Sequence, residues 1–281
     1  MDIDTLLSRF LVFARSPEGT SLSIIGISAV IYITLERFFP YSPQQKFFRK
    51  GWWTDFFWYT LIQSYFLGVL ITAFIQWFDT STGLSRLRLV SDWPVWVQLL
   101  FFFVVHDFYI YWFHRWQHSN KWLWRTHEAH HSVEDVDWVA GSRSHAVEIA
   151  INQTIEFLPI FVLGAAPVVR LYKGVIDAVW GMYIHANINV RTGWLQRIIN
   201  GPEMHRWHHA KEVVDINFST KLAIWDWIFG TAHLPAKKPQ GYGLTDVEFP
   251  RNYFVQQLFA FRRFAPSRQT THPRESPLEG R

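Results

Sequence analysis

The chain has 281 residues with a net charge of +4; 49% are hydrophobic, 18% aromatic and only 18% charged, and none is cysteine. The charged share lies below the roughly one quarter usual in a soluble domain, and 16 Trp with 25 Phe exclude a disordered chain, a coiled coil or a disulfide scaffold. Without cysteine there can be no thiolate metal site, Fe–S cluster or thiol nucleophile.

The apolar residues come in long runs. Residues 24–39 approach the length that spans a bilayer and end in Glu36 and Arg37. Residues 56–78 carry no formal charge and end in Trp77, an interfacial residue. Residues 95–113 are apolar except for His106 and Asp107. Two weaker runs, 149–169 and 174–190, are broken by Glu156, Pro159, Gly164, Pro167 and Asp177, with Arg170 and Lys173 read as the apex between them. That pair either spans or re-enters. No cleavable signal peptide is evident.

Lys46, Arg49 and Lys50 after the first run, and Arg115, Lys121 and Arg125 after the third, place both segments in the cytoplasm by the positive-inside rule, with the N-terminus outside. From 191 onward the chain reads as soluble or interfacial. The stretch 264–281, rich in Pro, Ser, Thr and Arg, reads as disordered. The expected fold is all-α: an integral membrane bundle of about four to five hydrophobic helices with a cytosolic, helical, His-rich di-metal domain. No Gly-rich phosphate loop or nucleic-acid motif is present.

Eleven of the 13 histidines (106, 114, 118, 127, 130, 131, 145, 185, 205, 208 and 209) fall between His106 and His209. His114 and His118 stand four apart and share one face of a helix, with Asp107 and Tyr111 on the same side. His127, His130 and His131 follow as H-x-x-H-H, which differs from the zinc-protease H-E-x-x-H although Glu128 follows the first His. His205, His208 and His209 repeat that spacing. These eight imidazoles exceed the about four ligands that one zinc ion takes, and they suit two metal ions. His185, at the end of the last run, is a further candidate ligand. His145 is a candidate ligand or a partner that orients a ligand ring. Asp107, Glu128, Glu148 and Asp226 are candidate acceptors for the rings' second N–H. His106 reads as packing or hydrogen-bonding, and His233 and His272 as surface residues.

The strings DFYIYWFHRWQH, LWRTHEAHHS, PEMHRWHH and WDWIFGT, running from about Val104 to Thr231, resemble the fatty acid hydroxylase / sterol desaturase superfamily. Tyr242-Gly243-Leu244 is similar to that family's tail. Membrane helices are expected in 1–95 and a partly disordered tail over 236–281, and the resemblance implies a fatty acid hydroxylase-like catalytic domain over 96–235 carrying the His boxes. It also implies two iron ions held by His114, His118, His127, His130, His131, His205, His208 and His209, with His185 and His145 as further matches. One departure stands out: where the family often has N-Y-G, this chain has Asn217-Phe218-Ser219.

The implied activity is O2-dependent hydroxylation or desaturation of a lipid, sterol-like or isoprenoid substrate taken from the bilayer. Zinc has no redox chemistry, so attack on an unactivated C–H bond calls for iron. No flavin, haem or nicotinamide motif is present, so electrons come from a separate donor of cytochrome b5 or ferredoxin type with its reductase. The competing readings are a membrane zinc hydrolase with Glu128 as base, and a non-catalytic metal-binding membrane protein.

Overall fold

The computed structural model describes residues 2–263. The expected disorder of 264–281, and His272, lie outside them. Helix α1 (Ile3–Arg15) begins on the Asp2 carboxylate, which accepts from the Thr5 amide; Ser16 then caps α2 (Pro17–Phe38), with Pro17 in the first turn. Residues Thr54–Gln63 are wound as a π-helix and run directly into α3 (Ser64–Thr82). Then come α4 (Val95–Ser119), α5 (Lys121–His131), α6 (Ala146–Val162), α7 (Pro167–His185) and three short helices, α8 (Pro202–His208), α9 (Ile224–Ile228) and α10 (Tyr253–Phe259). Among the described residues there is no strand, only two isolated bridges, Pro40 with Ile188 and Ala210 with Tyr242.

Three segments are long and apolar enough to cross a membrane: Pro17–Phe38, Thr54–Thr82 and Val95–Ser119. Their outward faces are apolar, with Leu22, Ile27, Val30, Phe66, Val69 and Trp96 all exposed. A continuous apolar exterior on helices that satisfy their own backbone belongs in lipid, and the chain is an integral membrane protein.

The α6/α7 pair is shorter, and it carries Glu148, Glu156, Arg170, Lys173 and Asp177, yet it runs the depth of the bundle. α2 packs along α7, α3 along α6, and α4 against both. Its apex meets the connection between α3 and α4, at the end opposite the histidines. There the Leu163 carbonyl accepts from the Val90 amide (3.1 Å), and Gln98 Oε1 accepts from the Ala166 amide (2.9 Å). Gly164 turns the chain at φ 72°, and a Cβ there would stand 2.9 Å from the Ser85 carbonyl oxygen. Arg170 and Lys173 are therefore not the apex. Pro167 starts α7 before them, and Lys173 lies fully buried against Glu156 and Asp177.

Buried ion pairs tie the first helices to the His-bearing part. Arg49 bridges Asp55 (2.7 Å) and Asp137 (2.8 Å), and Arg143 donates to Asp55 (2.6 Å). Glu36 of α2 accepts from the amides of Trp138 and Asn187, both at 2.8 Å. The part of 236–281 that is described also returns to the body: Gln256 accepts from Tyr59 (2.8 Å), and Arg262 pairs with Glu128.

Candidate metal centre

Four helices deliver the histidines to one place. His114 and His118 lie on the buried face of α4. Asn120 breaks the chain in extended geometry and caps α5, accepting from the amides of Trp122 and Leu123. That sharp turn folds His127, His130 and His131 back against α4. His185 ends α7. α8 starts at Gly201-Pro202 and is bolted to the end of α7 by Arg206, which donates to the carbonyls of Ala186 (2.6 Å) and Ile188 (2.8 Å). Met204 and Trp207 are fully buried beneath it, so His205, His208 and His209 face the other boxes.

The rings converge in two groups. His114, His118, His127, His131 and His208 form one; His130, His185, His205 and His209 form the other; within each, ring nitrogens lie within 4.8 Å of one another. Between Nε2 atoms the distances are 3.0 Å for His114–His127, 3.3 Å for His130–His185, 2.9 Å for His185–His205 and 3.2 Å for His205–His209. Imidazole nitrogens about 2.0–2.1 Å from one shared ion stand roughly 3.0–3.4 Å apart. The groups adjoin, with the His131 and His209 ring centres 4.7 Å apart.

The outer nitrogens show which way the rings are set. Nδ1 of His114 donates to the Phe218 carbonyl (2.7 Å), of His130 to Arg143 (3.2 Å), of His185 to Gly181 (2.8 Å) and of His208 to Ile216 (2.8 Å). His127 Nδ1 donates to Glu148 (2.9 Å), a carboxylate. With the proton on Nδ1, each Nε2 lone pair faces inward. Nε2 of His118, His131 and His208 is buried without a protein partner; in His205 and His209 it is Nε2 that converges, and the outer Nδ1 is buried without an acceptor. Burial holds His130, His131, His205, His208 and His209 well below the ordinary histidine range, and neighbouring rings push the same way. Neutral, orphaned and convergent imidazoles are the donor set a pair of divalent ions requires.

Residues 99–231 match the fatty acid hydroxylase family. That stretch holds all nine of the converging histidines. An ornithine lipid hydroxylase from Rhizobium tropici is 35% identical over 149 residues, 52% of this chain and 45% of the relative. Human alkylglycerol monooxygenase is 34% identical over 142 residues, 50% and 31% of the two chains. A methylsterol monooxygenase from Arabidopsis thaliana is 28% identical over 155 residues, 52% and 56%. The chain thus spans less than two thirds of the length of each. No solved structure matches it.

Within the matched stretch the remaining candidates separate by position. Glu148 touches a ring. Asp107 instead accepts from the amides of Lys221 (3.0 Å) and Leu222 (2.9 Å), from Trp225 Nε1 (2.9 Å) and from Thr220 Oγ1 (3.1 Å). Asp226 accepts from the amides of Phe218 (2.8 Å) and Ser219 (2.9 Å). The two aspartates pin the 218–226 loop, whose Phe218 carbonyl sets His114. Glu128 faces Arg262, pairing at 2.7 and 2.9 Å. His145 lies outside both groups: Nδ1 caps α6 at Val147, and Nε2 donates to the Gln257 carbonyl (2.7 Å). Phe218 was not a sequence candidate, though its ring meets His114, His118 and His208; the departure from N-Y-G marked its position.

A cavity of about 230 Å³ runs between α4, α6 and α7, with His114, His130 and His185 at one end and His106 and Glu156 at the other. A wider one of about 680 Å³ lies against His118, His131 and His208 on the other side, rimmed by Lys121, Lys211 and Arg263.

Proposed function

We propose that the chain is a membrane-bound, O2-dependent di-iron oxidoreductase that hydroxylates or desaturates a lipid, sterol-like or isoprenoid substrate. The observation that carries this reading is the division of nine buried imidazoles into adjoining groups of five and four at the end of a cavity between membrane helices. The names of the relatives, an ornithine lipid hydroxylase, an alkylglycerol monooxygenase and a methylsterol monooxygenase, support lipid as the substrate class and oxygenation as the reaction.

In this reading His114, His118, His127, His131 and His208 hold one iron ion, and His130, His185, His205 and His209 the other. Iron so held supplies O2 activation and attack on an unactivated C–H bond. The chain does the rest. Glu148 and four backbone carbonyls hold the rings in register and keep their protons on the outer nitrogens. The cavity between α4, α6 and α7 receives the substrate from the bilayer and excludes bulk water, and Ile110, Phe113 and Trp180 on its wall suit an alkyl chain. Asp107 and Asp226 keep the 218–226 loop closed over the same end.

A zinc hydrolase would need Glu128 as base, and Arg262 already engages both of its oxygens. Positive charge after α2 and α4 orients the His groups to the cytoplasm. The donor, of cytochrome b5 or ferredoxin type, approaches the basic rim of the wider cavity, where the edges of four ligand rings come nearest to solvent. Functionally, 96–235 is the catalytic unit, 1–95 its membrane support, and 236–263 a strap across both.

The test is lipid profiling of membranes with and without the expressed chain, under air and under nitrogen, beside elemental analysis of the purified protein. An O2-dependent gain of one oxygen or loss of two hydrogens in a lipid, with two iron ions per chain, is expected. One ion or none after iron loading, or product formed equally without O2, overturns the reading.

A further inference from the structure

The end of the inner cavity away from the metal centre is lined by ionisable side chains set among membrane helices. His106 comes from α4, Glu156 from α6, Asp177 from α7 and Lys221 from the pinned loop, with Lys173 of α7 fully buried among them. Buried charges at such depth are costly and are kept for a purpose. Lys173 donates to both Glu156 and Asp177, and Lys221 reaches Asp177 at 2.8 Å. Two ammonium groups are thus matched by two carboxylates. His106, Glu156 and Asp177 converge closely enough to hold a cation, but the Lys173 ammonium already fills that place.

His106 is the member left incomplete. Its Nδ1 stands 3.0 Å from Lys173 Nζ. An ammonium has three donors and no acceptor, so Nδ1 must be the acceptor. An imidazolium would set a second N–H against that ammonium, so the ring is neutral and its proton sits on Nε2. This nitrogen is buried, with no hydrogen-bond partner in the protein, on a residue only 9% exposed that lines the cavity. A buried N–H without an acceptor is rare and marks a place where a partner arrives.

We propose that His106 Nε2–H donates to an uncharged oxygen of the substrate, a carbonyl, ether or hydroxyl. Eight residues separate His106 from the ligand His114, about 12 Å along the helix. The lipid is therefore held by an oxygen roughly 12 Å from the carbon presented to the metals. The matched charges leave no counter-ion for a charged headgroup. His106 acts as a positioning and specificity residue, by choosing which carbon arrives. The position of the reacting carbon rests on the oxygenase reading; the binding contact does not.

The test is binding to the purified chain in nanodiscs, followed by native mass spectrometry, with 1-methoxyhexadecane and octadecane as probes. They match in heavy-atom count and differ by one acceptor oxygen. The wild type should prefer the ether by roughly 2- to 10-fold, the worth of one hydrogen bond. His106→Phe should erase the preference while still binding both probes. His106→Gln, whose amide accepts from Lys173 and still donates, should restore it. Equal binding of the two probes by the wild type, or an unchanged preference in His106→Phe, overturns the proposal. Loss of all binding in His106→Phe leaves the wild-type and His106→Gln measurements to decide. The oxygenase reading fails separately, through the lipid profile and the iron content.

Discussion

Glu148→Ala should weaken one metal site and spare the other. His127 gives its outer N–H to a carboxylate at 2.9 Å, whereas His114, His130, His185 and His208 give theirs to backbone carbonyls and His118 Nδ1 stands 3.7 Å from Asp215. His127 and Glu148 are both about 95% buried, so water does not readily replace the lost acceptor. A buried N–H without a partner costs about 1–3 kcal/mol, which is about 5- to 150-fold in an equilibrium constant. Removing the group that orients a ligating imidazole typically costs 10- to 100-fold in metal affinity, about the same range. Glu148→Gln keeps an acceptor oxygen but not its charge, and should lose about a third to a half as much free energy. The assay is chelator competition on iron-loaded protein, fitted to two sites. The group of five that contains His127 should weaken by about 10- to 100-fold in the alanine variant, with the group of four unchanged. Glu134→Gln, which removes an exposed pair with Lys50, is the control and should change neither site. Wild-type affinity in Glu148→Ala, or equal weakening of both sites, would refute the reasoning.

Three further outcomes follow from the geometry. Asp107→Asn turns one oxygen that accepts two bonds into a donor facing two donors; it should cost about 2–6 kcal/mol of stability and lower iron content, and wild-type thermal unfolding would contradict it. Asp55→Asn leaves Arg49 and Arg143 short of charge in a buried cluster, and should destabilise by about 3–5 kcal/mol in detergent unfolding; a change under about 1 kcal/mol would show the cluster to be dispensable. Single cysteines at exposed Glu134 and Lys211 should react with an impermeant maleimide from one side of sealed vesicles, and one at exposed Arg88 from the other; labelling of 134 and 211 from opposite sides would break the shared centre.

The membrane helices were legible because a span is a matter of length and apolarity, and the runs ending at Phe39, Phe78 and Phe113 became α2, α3 and α4. The boxes were legible because spacings of three and four place side chains on one helical face. Their partition was not. His130 and His131 are neighbours on α5 yet belong to different groups, because consecutive residues point about 100° apart and each follows whichever helix stands opposite. His185 could be placed in the second group only once the end of α7 was known to abut α8. The hairpin apex was misjudged because charge was weighed over backbone: Gly164 and Pro167 turn the chain, and the buried carboxylates draw Lys173 inside. Asp107 lay on the predicted face but serves a loop more than a hundred residues away, a contact that local periodicity does not encode.

With the ligand assignment proposed above, the distribution of the histidines along the chain sets an order of assembly. Four rings of the first group, His114, His118, His127 and His131, lie before the α6/α7 hairpin, and only His208 comes after it. In the second group the proportions reverse: His130 alone precedes the hairpin, His185 ends it, and His205 and His209 follow. A nascent chain that has inserted α4 and α5 already owns most of one ion's cage and a single ring of the other's. The second cage closes only when α7 has brought His185 back to the histidine end of the bundle and α8 has seated against it. Occupancy of the second site thus becomes a record that insertion is finished, and a chain stalled at the hairpin is left with one metal and without the pair.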